Sequence, residues 1–254
     1  MIDHPTHLYG MVIILDTLDR LSRRIGLIQC VKQESLYKMN TYEQIHSNIK
    51  LKSDKWIHYF DIYDLYFTKF RNKSPVMVEV GVYDGGSIES WVEYFGEGAK
   101  IYGIDNYPRV SSIEGAHLFI GDQGSSEFWD GFLKQVPKID CFVDDGSHHM
   151  EHQILTFLKV WPHISEGGVY ICEDTHTSYW SSHGGGFQQS GTFLEFMKQM
   201  IDGLQMRWIE NRVPQGEIKK YMDEIGFIGF HPSIVVLTKG KKDYVRTRPE
   251  LAFI

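Results

Sequence analysis

The chain is short of cysteine, of cationic runs and of long apolar runs, and each shortage closes off a class of protein. Its three cysteines, Cys30, Cys141 and Cys172, are an odd set. The last two sit inside apolar, strand-like runs where a thiol behaves as a small hydrophobe, so no disulfide framework is expected and a reducing cytoplasm is. No run of five or six Lys/Arg occurs, and the formal net charge is -7 with a pI near 5.9. Such a surface repels phosphate backbones, which argues against a nucleic-acid partner. The longest apolar stretch near the N-terminus, Met11 to Leu15, falls far short of the roughly 20 residues of a membrane span. Asp3 stands before it where a cationic region belongs in a signal peptide, and Asp16 and Asp19 follow. The expectation is a soluble cytoplasmic protein. With 42% hydrophobic and 23% charged residues over 254 positions, the chain can bury the core of one large α/β domain with an appendage.

Two zones differ in texture. Residues 1–74 are polar and aromatic with helical spacing, as in Trp56, Tyr59, Tyr63 and Phe67, and read as an N-terminal helical cap or lid. From residue 75 to 254, short β-branched runs (76–82, 100–104, 116–120, 139–144, 168–173) alternate with amphipathic stretches (87–95, 126–135, 150–161). That alternation is expected of βαβ units on a parallel sheet. Helical stretches at 192–204 and 216–224 follow. Then come Phe227 to Phe230 and Ile234 to Leu237, joined by His231-Pro232-Ser233, a link too short for a parallel crossover. The ground plan is a mostly parallel sheet of seven strands finished by a C-terminal antiparallel hairpin.

After the first strand comes Glu79-Val80-Gly81-Val82-Tyr83-Asp84-Gly85-Gly86-Ser87. Glycine at a strand-to-helix turn lets backbone N–H groups approach a ligand. The dinucleotide fingerprint needs a further Gly where Tyr83 stands, and no Gly-Lys-Ser/Thr occurs, so neither a dinucleotide nor a nucleoside triphosphate fits. Glu79 is an acid in an otherwise apolar strand, placed to receive an ammonium group; Asp105, ending the second strand, stands where an acid accepts both ribose hydroxyls. Together they fit S-adenosylmethionine (AdoMet).

Two acidic clusters follow later strands: Asp144-Asp145-Gly146-Ser147-His148-His149 and Glu173-Asp174-Thr175-His176. In doubly wound sheets the carboxyl ends of the strands share one crevice, so these acids converge with the glycine loop. Converging carboxylates repel and call for a cation, and oxygen donors suit Mg²⁺ or Mn²⁺ better than zinc. A competing signature is His148-x-x-Glu151-His152, the inverted zinc-protease motif, which requires both histidines on one helix face.

The ordered blocks Asp54-Lys55-Trp56 with His58 and Tyr63, the glycine loop, Gly121-Asp122-Gln123, Asp144-Asp145-Gly146-Ser147-His148, Pro162-His163-Ile164-x-x-Gly167-Gly168 and Glu173-Asp174 through Tyr179-Trp180 span roughly residues 52–239. In them the chain resembles the metal-dependent sugar O-methyltransferases of macrolide biosynthesis, the macrocin and mycinamicin type. The resemblance implies a Rossmann-like class I methyltransferase in which Asp145, Glu173 and Asp174 hold Mg²⁺ and His148 takes the proton. It implies further that Glu79, Gly81, Ser87, Asp105, Asp122 and Gln123 line the AdoMet site, with Asp145 beside it. Tyr179 and Trp180 would stack on a sugar face or else pack their own loop. Residues 1–50 and loop 181–190 depart from the pattern and shape the acceptor pocket, so the acceptor is not carried over. The implied reaction is methyl transfer to a hydroxyl of a sugar in a glycoside, a small-molecule partner. Catechol-type methyl transfer, a cephalosporin-hydroxylase-like reaction and a non-catalytic AdoMet-binding module are the other readings, and a homo-oligomer is left open.

Overall fold

The structure, a computed structural model, describes residues 39–107, 109–205, 221 and 224–240. Most of the stretch 216–224, read as helical, and residues 1–38 of the expected cap lie outside the described residues. From Tyr42 onward the described residues fall in one unit.

Its elements are α1 (Tyr42–His46), α2 (His58–Phe67), β1 (Val76–Val80), α3 (Gly86–Phe95), β2 (Lys100–Asp105), β3 (Ala116–Ile120), α4 (Ser126–Phe132), β4 (Ile139–Asp144), α5 (Met150–Val160), β5 (Ile164–Cys172), α6 (Phe193–Gln205), β6 (Ile225–His231) and β7 (Ile234–Lys239). The seven strands lie in the order β3-β2-β1-β4-β5-β7-β6. The five from β3 to β5 are parallel, while β7 runs antiparallel to both β5 and β6. The hairpin is therefore the expected one.

The two sides of the sheet are packed separately, which is why the central strands read as unbroken apolar runs. Along β1, Val76, Val78 and Val80 face a cluster containing Trp129, Phe132, Phe157 and Met197 from α4, α5 and α6. Met77 faces the other cluster, with Tyr42, Tyr59, Tyr63, Phe67, Trp91 and Phe95 from α1, α2 and α3. Alternation along the strand puts Glu79 on that second, aromatic side. Edge strand β3 is only partly covered, and Ile120 is exposed.

Three local readings change. β1 ends at Val80 rather than at residue 82, because Gly81 turns the chain with φ +94°. β5 begins at Ile164, ahead of the Gly167-Gly168 pair, and its register against β4 shifts between Ile139 and Cys141. Trp56 lies outside the helix its spacing suggested: α2 starts at His58, burying Tyr59, Tyr63 and Phe67 while Trp56 stays exposed. Cys141 and Cys172 are buried and free. Among the described residues no helix is long and apolar enough to cross a membrane.

Candidate functional site

The carboxyl ends of β1, β2, β4 and β5 open into a crevice of about 600 Å³. Its floor is a backbone contact. A side chain on Gly81 would stand inside the carbonyl of Asp145, and the Asp145 N–H donates to the Val80 carbonyl at 2.9 Å, so the β1 and β4 ends are locked together. The wall beside them is stitched by Asp105. Its Oδ2 accepts the N–H groups of Val82 and Tyr83, both at 3.0 Å, and its Oδ1 accepts that of Tyr107 at 3.0 Å. Those bonds hold Tyr83 at φ +52°, a left-handed conformation costly for a bulky side chain, and the guanidinium of Arg109 covers its ring.

Gln123 ties the next two loops. Its amide nitrogen donates to Asp144 Oδ1 and to Thr156 Oγ1, and its oxygen accepts the Ser147 N–H at 2.8 Å. Burial pushes the Asp144 carboxyl up to about 7.

The acids converge as expected, but a lysine stands among them. Lys55 Nζ lies 2.7 Å from Glu79 Oε1, 2.7 Å from Asp145 Oδ2 and 3.1 Å from Glu173 Oε2, with its side chain 2% exposed. Glu79 also accepts the indole N–H of Trp91 at 2.8 Å, and Glu173 the hydroxyl of Tyr63 at 2.5 Å. Burial works against the charge of Lys55, yet Asp145, Glu173 and Glu79 outweigh it and hold the ammonium above its usual range. Burial also raises the carboxyls it pairs: Glu173 to about 7, and Asp145 well above its ordinary value, in each case against the pull of Lys55.

Facing this group is His148, at φ +58°. Its Nε2 is 3.6 Å from Asp174 Oδ2 and 3.9 Å from Asp145 Oδ1, and its Nδ1 is buried without a hydrogen-bond partner. Burial lowers its pKa, so the ring is neutral at pH 7. Asp174 Oδ1 accepts the Tyr59 hydroxyl at 2.6 Å. One oxygen of Asp145 and one of Asp174 thus turn toward His148, and the ligand atoms of these three residues lie within 4.8 Å of one another. Glu173, the third expected metal ligand, lines the same crevice, with its carboxylate engaged by Lys55 and Tyr63. The inverted zinc motif is not assembled: His148 precedes α5, His152 Nδ1 pairs with Ser147 Oγ at 2.8 Å, and Glu151 points to solvent.

Of the residues expected around AdoMet, Gly81, Asp105, Asp122, Gln123 and Asp145 border the crevice; Glu79 and Ser87 lie buried behind it. Trp180 borders it too, whereas Tyr179 leans on Phe187 outside. Lys55, Trp56 and Tyr63 stand in the sequence blocks without a role, Tyr59 only in a helical stripe and His183 in neither, yet Lys55, Trp56, Tyr59 and His183 line the space. An acid and a lysine far apart in sequence give no local signal of pairing; the unexplained Glu79 was the available clue.

Sheet order, glycine turn, strand-end acid and paired acidic loops are those of the class I methyltransferase fold. No family model matches the chain. It is 33% identical over 199 residues to 8-demethyl-8-alpha-L-rhamnosyl tetracenomycin-C 2'-O-methyltransferase of Streptomyces olivaceus, covering 74% of this chain and 52% of that one. It is 32% identical over 211 residues to mycinamicin VI 2''-O-methyltransferase of Micromonospora griseorubida, covering 74% and 50%. A solved structure of MycE methyltransferase from the mycinamycin pathway, in complex with Mg and SAH, superposes with a TM-score of 0.73 at 28% identity, over 82% of this chain and 56% of that one. Another MycE complex also holds mycinamycin VI, with TM-score 0.73 at 26% identity, over 83% and 56%. Over the matched residues the chain is similar to these sugar O-methyltransferases and shares the class I methyltransferase fold of MycE. The chain spans about half the length of the curated relatives it matches.

Proposed function

We propose that the chain transfers a methyl group from AdoMet to a hydroxyl of a sugar in a glycosylated natural product, with Mg²⁺ or Mn²⁺ as the metal. The observation that carries this is the placement of Asp145, His148 and Asp174 at the mouth of the crevice whose wall is the Gly81 turn and Asp105. The relatives named above methylate sugars, and MycE complexes hold Mg, SAH and, in one case, a glycoside.

The residues present fit both groups. Asp145 Oδ1 and Asp174 Oδ2 are hard oxygen donors turned to one side, as a Mg²⁺ site requires, with Glu173 behind them as a third carboxylate. Gly81, Asp105, Asp122 and Gln123 would hold AdoMet, and Glu79 would support them from behind through Lys55. When bound, AdoMet supplies an electrophilic methyl group and the divalent cation acidifies a coordinated hydroxyl. His148, neutral because it is buried, would accept the acceptor hydroxyl's proton at Nε2, the ring nitrogen that faces Asp145 and Asp174. Trp180 and Trp56, both exposed and both bordering the crevice, offer ring faces for a sugar. The division into a cap, 1–74, and an AdoMet-binding domain, 75–254, belongs to this proposal; its support is that Lys55, Trp56 and Tyr59 all reach the crevice from the first part.

The test is incubation with labelled AdoMet and a panel of rhamnosides and macrolide glycosides, before and after EDTA. Methylated sugar that disappears on chelation and returns with Mg²⁺ or Mn²⁺ is the expected result. Undiminished turnover in exhaustively chelated protein, or methylation of catechols alone, would overturn it.

A further inference from the structure

The segment from residue 50 to 57 has neither helix nor strand of its own, borders the crevice with Asp54, Lys55 and Trp56, and is fastened at its root. The N–H groups of Lys50 and Leu51 both donate to Glu89 Oε2 at 2.9 Å, and Gly86 donates to the Lys52 carbonyl at 3.0 Å. Gly86 can carry no side chain there, since a Cβ would meet the carbonyls of Leu51 and Lys52. Three residues beyond that anchor, Lys55 reaches in and spends its ammonium on acids from β1, β4 and the β5 end.

The electrostatics around it are unbalanced. Glu79, Asp145 and Glu173 face one ammonium, so the cluster keeps a surplus of negative charge when ionised, and Asp174 adds another carboxylate on the His148 side. Lys55 also takes atoms that a divalent ion would want. It holds Asp145 by Oδ2, leaving Oδ1 to face His148, and it touches both oxygens of Glu173. Being 2% exposed, the ammonium is screened by water far less than a surface charge, so it acts strongly on the neighbouring carboxylates.

We propose that Lys55 is a positioning residue, a tethered internal monocation that keeps the carboxylate cage assembled and sets how tightly the crevice takes up a divalent cation. It shares Asp145 and Glu173 with that cation and repels it. The inference rests on the reading above that Asp145 and Asp174 face a divalent-ion position, and it adds a residue outside the expected ligand set that governs affinity there. A lysine serving only as a structural plug would alter stability without tightening the site.

The experiment measures Mn²⁺ binding to the full chain by electron paramagnetic resonance and calorimetry at pH 8, for wild type, Lys55→Met and Lys55→Arg, with thermal melts on and off Mn²⁺. Removing a unit charge a few ångströms from a dication should tighten binding by about tenfold or more in Lys55→Met. Lys55→Arg, which keeps the charge, should stay near wild type. The melt of Lys55→Met should fall without metal and recover with Mn²⁺ by more than wild type gains. A folded Lys55→Met with unchanged or weaker Mn²⁺ affinity would overturn the proposal. So would a variant that stays unfolded even in saturating Mn²⁺, or an arginine variant that tightens as the methionine one does. Wild type that takes up no Mn²⁺ would bring down the divalent-site reading itself, whereas Mn²⁺ uptake that Lys55→Met leaves unmoved removes only the role of Lys55.

Discussion

Substituting Gly81 by alanine perturbs the site at its narrowest point. Gly81 sits at φ +94°, where an L-residue costs roughly 1–2 kcal/mol. The added methyl would also collide with the Asp145 carbonyl, and neither partner is free to withdraw. Gly81 N–H is tied to Ile104 O at 2.8 Å and Asp145 N–H to Val80 O at 2.9 Å. Overpacking against a fixed backbone costs about 1–3 kcal/mol. The sum, about 2–5 kcal/mol, should lower the melting midpoint by roughly 4–20 °C for a domain of this size. Relief of the clash moves the Asp145 backbone, so S-adenosylhomocysteine affinity should fall together with stability. Differential scanning calorimetry with and without S-adenosylhomocysteine reads both effects. Gly131→Ala is the control: it lies within α4, and an added Cβ there meets nothing within 4 Å. That variant should be neutral or up to about 1 kcal/mol more stable. A Gly81→Ala protein melting with wild type, or one that is destabilised yet binds S-adenosylhomocysteine normally, would refute the assignment of this turn as the wall of the cofactor site.

His148→Gln should cost about 10²–10⁴-fold in turnover while leaving S-adenosylhomocysteine affinity near wild type. Because burial lowers the pKa of His148, its neutral form persists to lower pH than a free imidazole, so the acid limb of the wild-type pH–rate profile should fall below about 6.5; a limb centred above 7 would contradict the role. Asp144 is fully buried and its carboxyl is raised from 3.8 to about 7, so across that interval the folded protein keeps a proton that the unfolded chain releases. The folded state therefore loses stability as pH rises through the interval, by up to about 4 kcal/mol, and Asp144→Asn should flatten that slope; parallel urea midpoints for both proteins at pH 5 and pH 8 would tell against it.

The parts legible in the sequence were those written in local pattern. β-branched runs bounded by glycine gave the strands, the short His231-Pro232-Ser233 link gave the antiparallel hairpin, and acids placed just after apolar runs gave the loops that meet at the crevice. What escaped was pairing across long separations. Glu79 reads as an acid placed to receive the ammonium of a ligand; the ammonium it meets in the structure is carried by Lys55, 24 residues earlier in the chain. Nothing in the spacing of either residue encodes that encounter, which is set by α1 and α2 packing over the aromatic side of the sheet. Only the resemblance places Ser87 at the AdoMet site; it stands in the first turn of the helix that begins at Gly86 and is buried. Trp56 kept helical spacing with Tyr59 and Tyr63, yet the backbone becomes helical only two residues later, and that delay puts the indole at the rim.

The fastening of Lys55 has a practical side for anyone dissecting the chain. Texture divides the sequence between residues 74 and 75, and a fragment starting there would retain every strand of the sheet. That cut, however, runs between a cation and its three anions. Such a piece would carry Glu79, Asp145 and Glu173 in an apolar setting with their counter-charge gone, along with the hydroxyl that Tyr63 lends to Glu173. The smallest electrically complete unit begins upstream of the sheet, at the stretch hooked to Glu89, and a minimal domain trimmed for crystallography or engineering should start before Lys50.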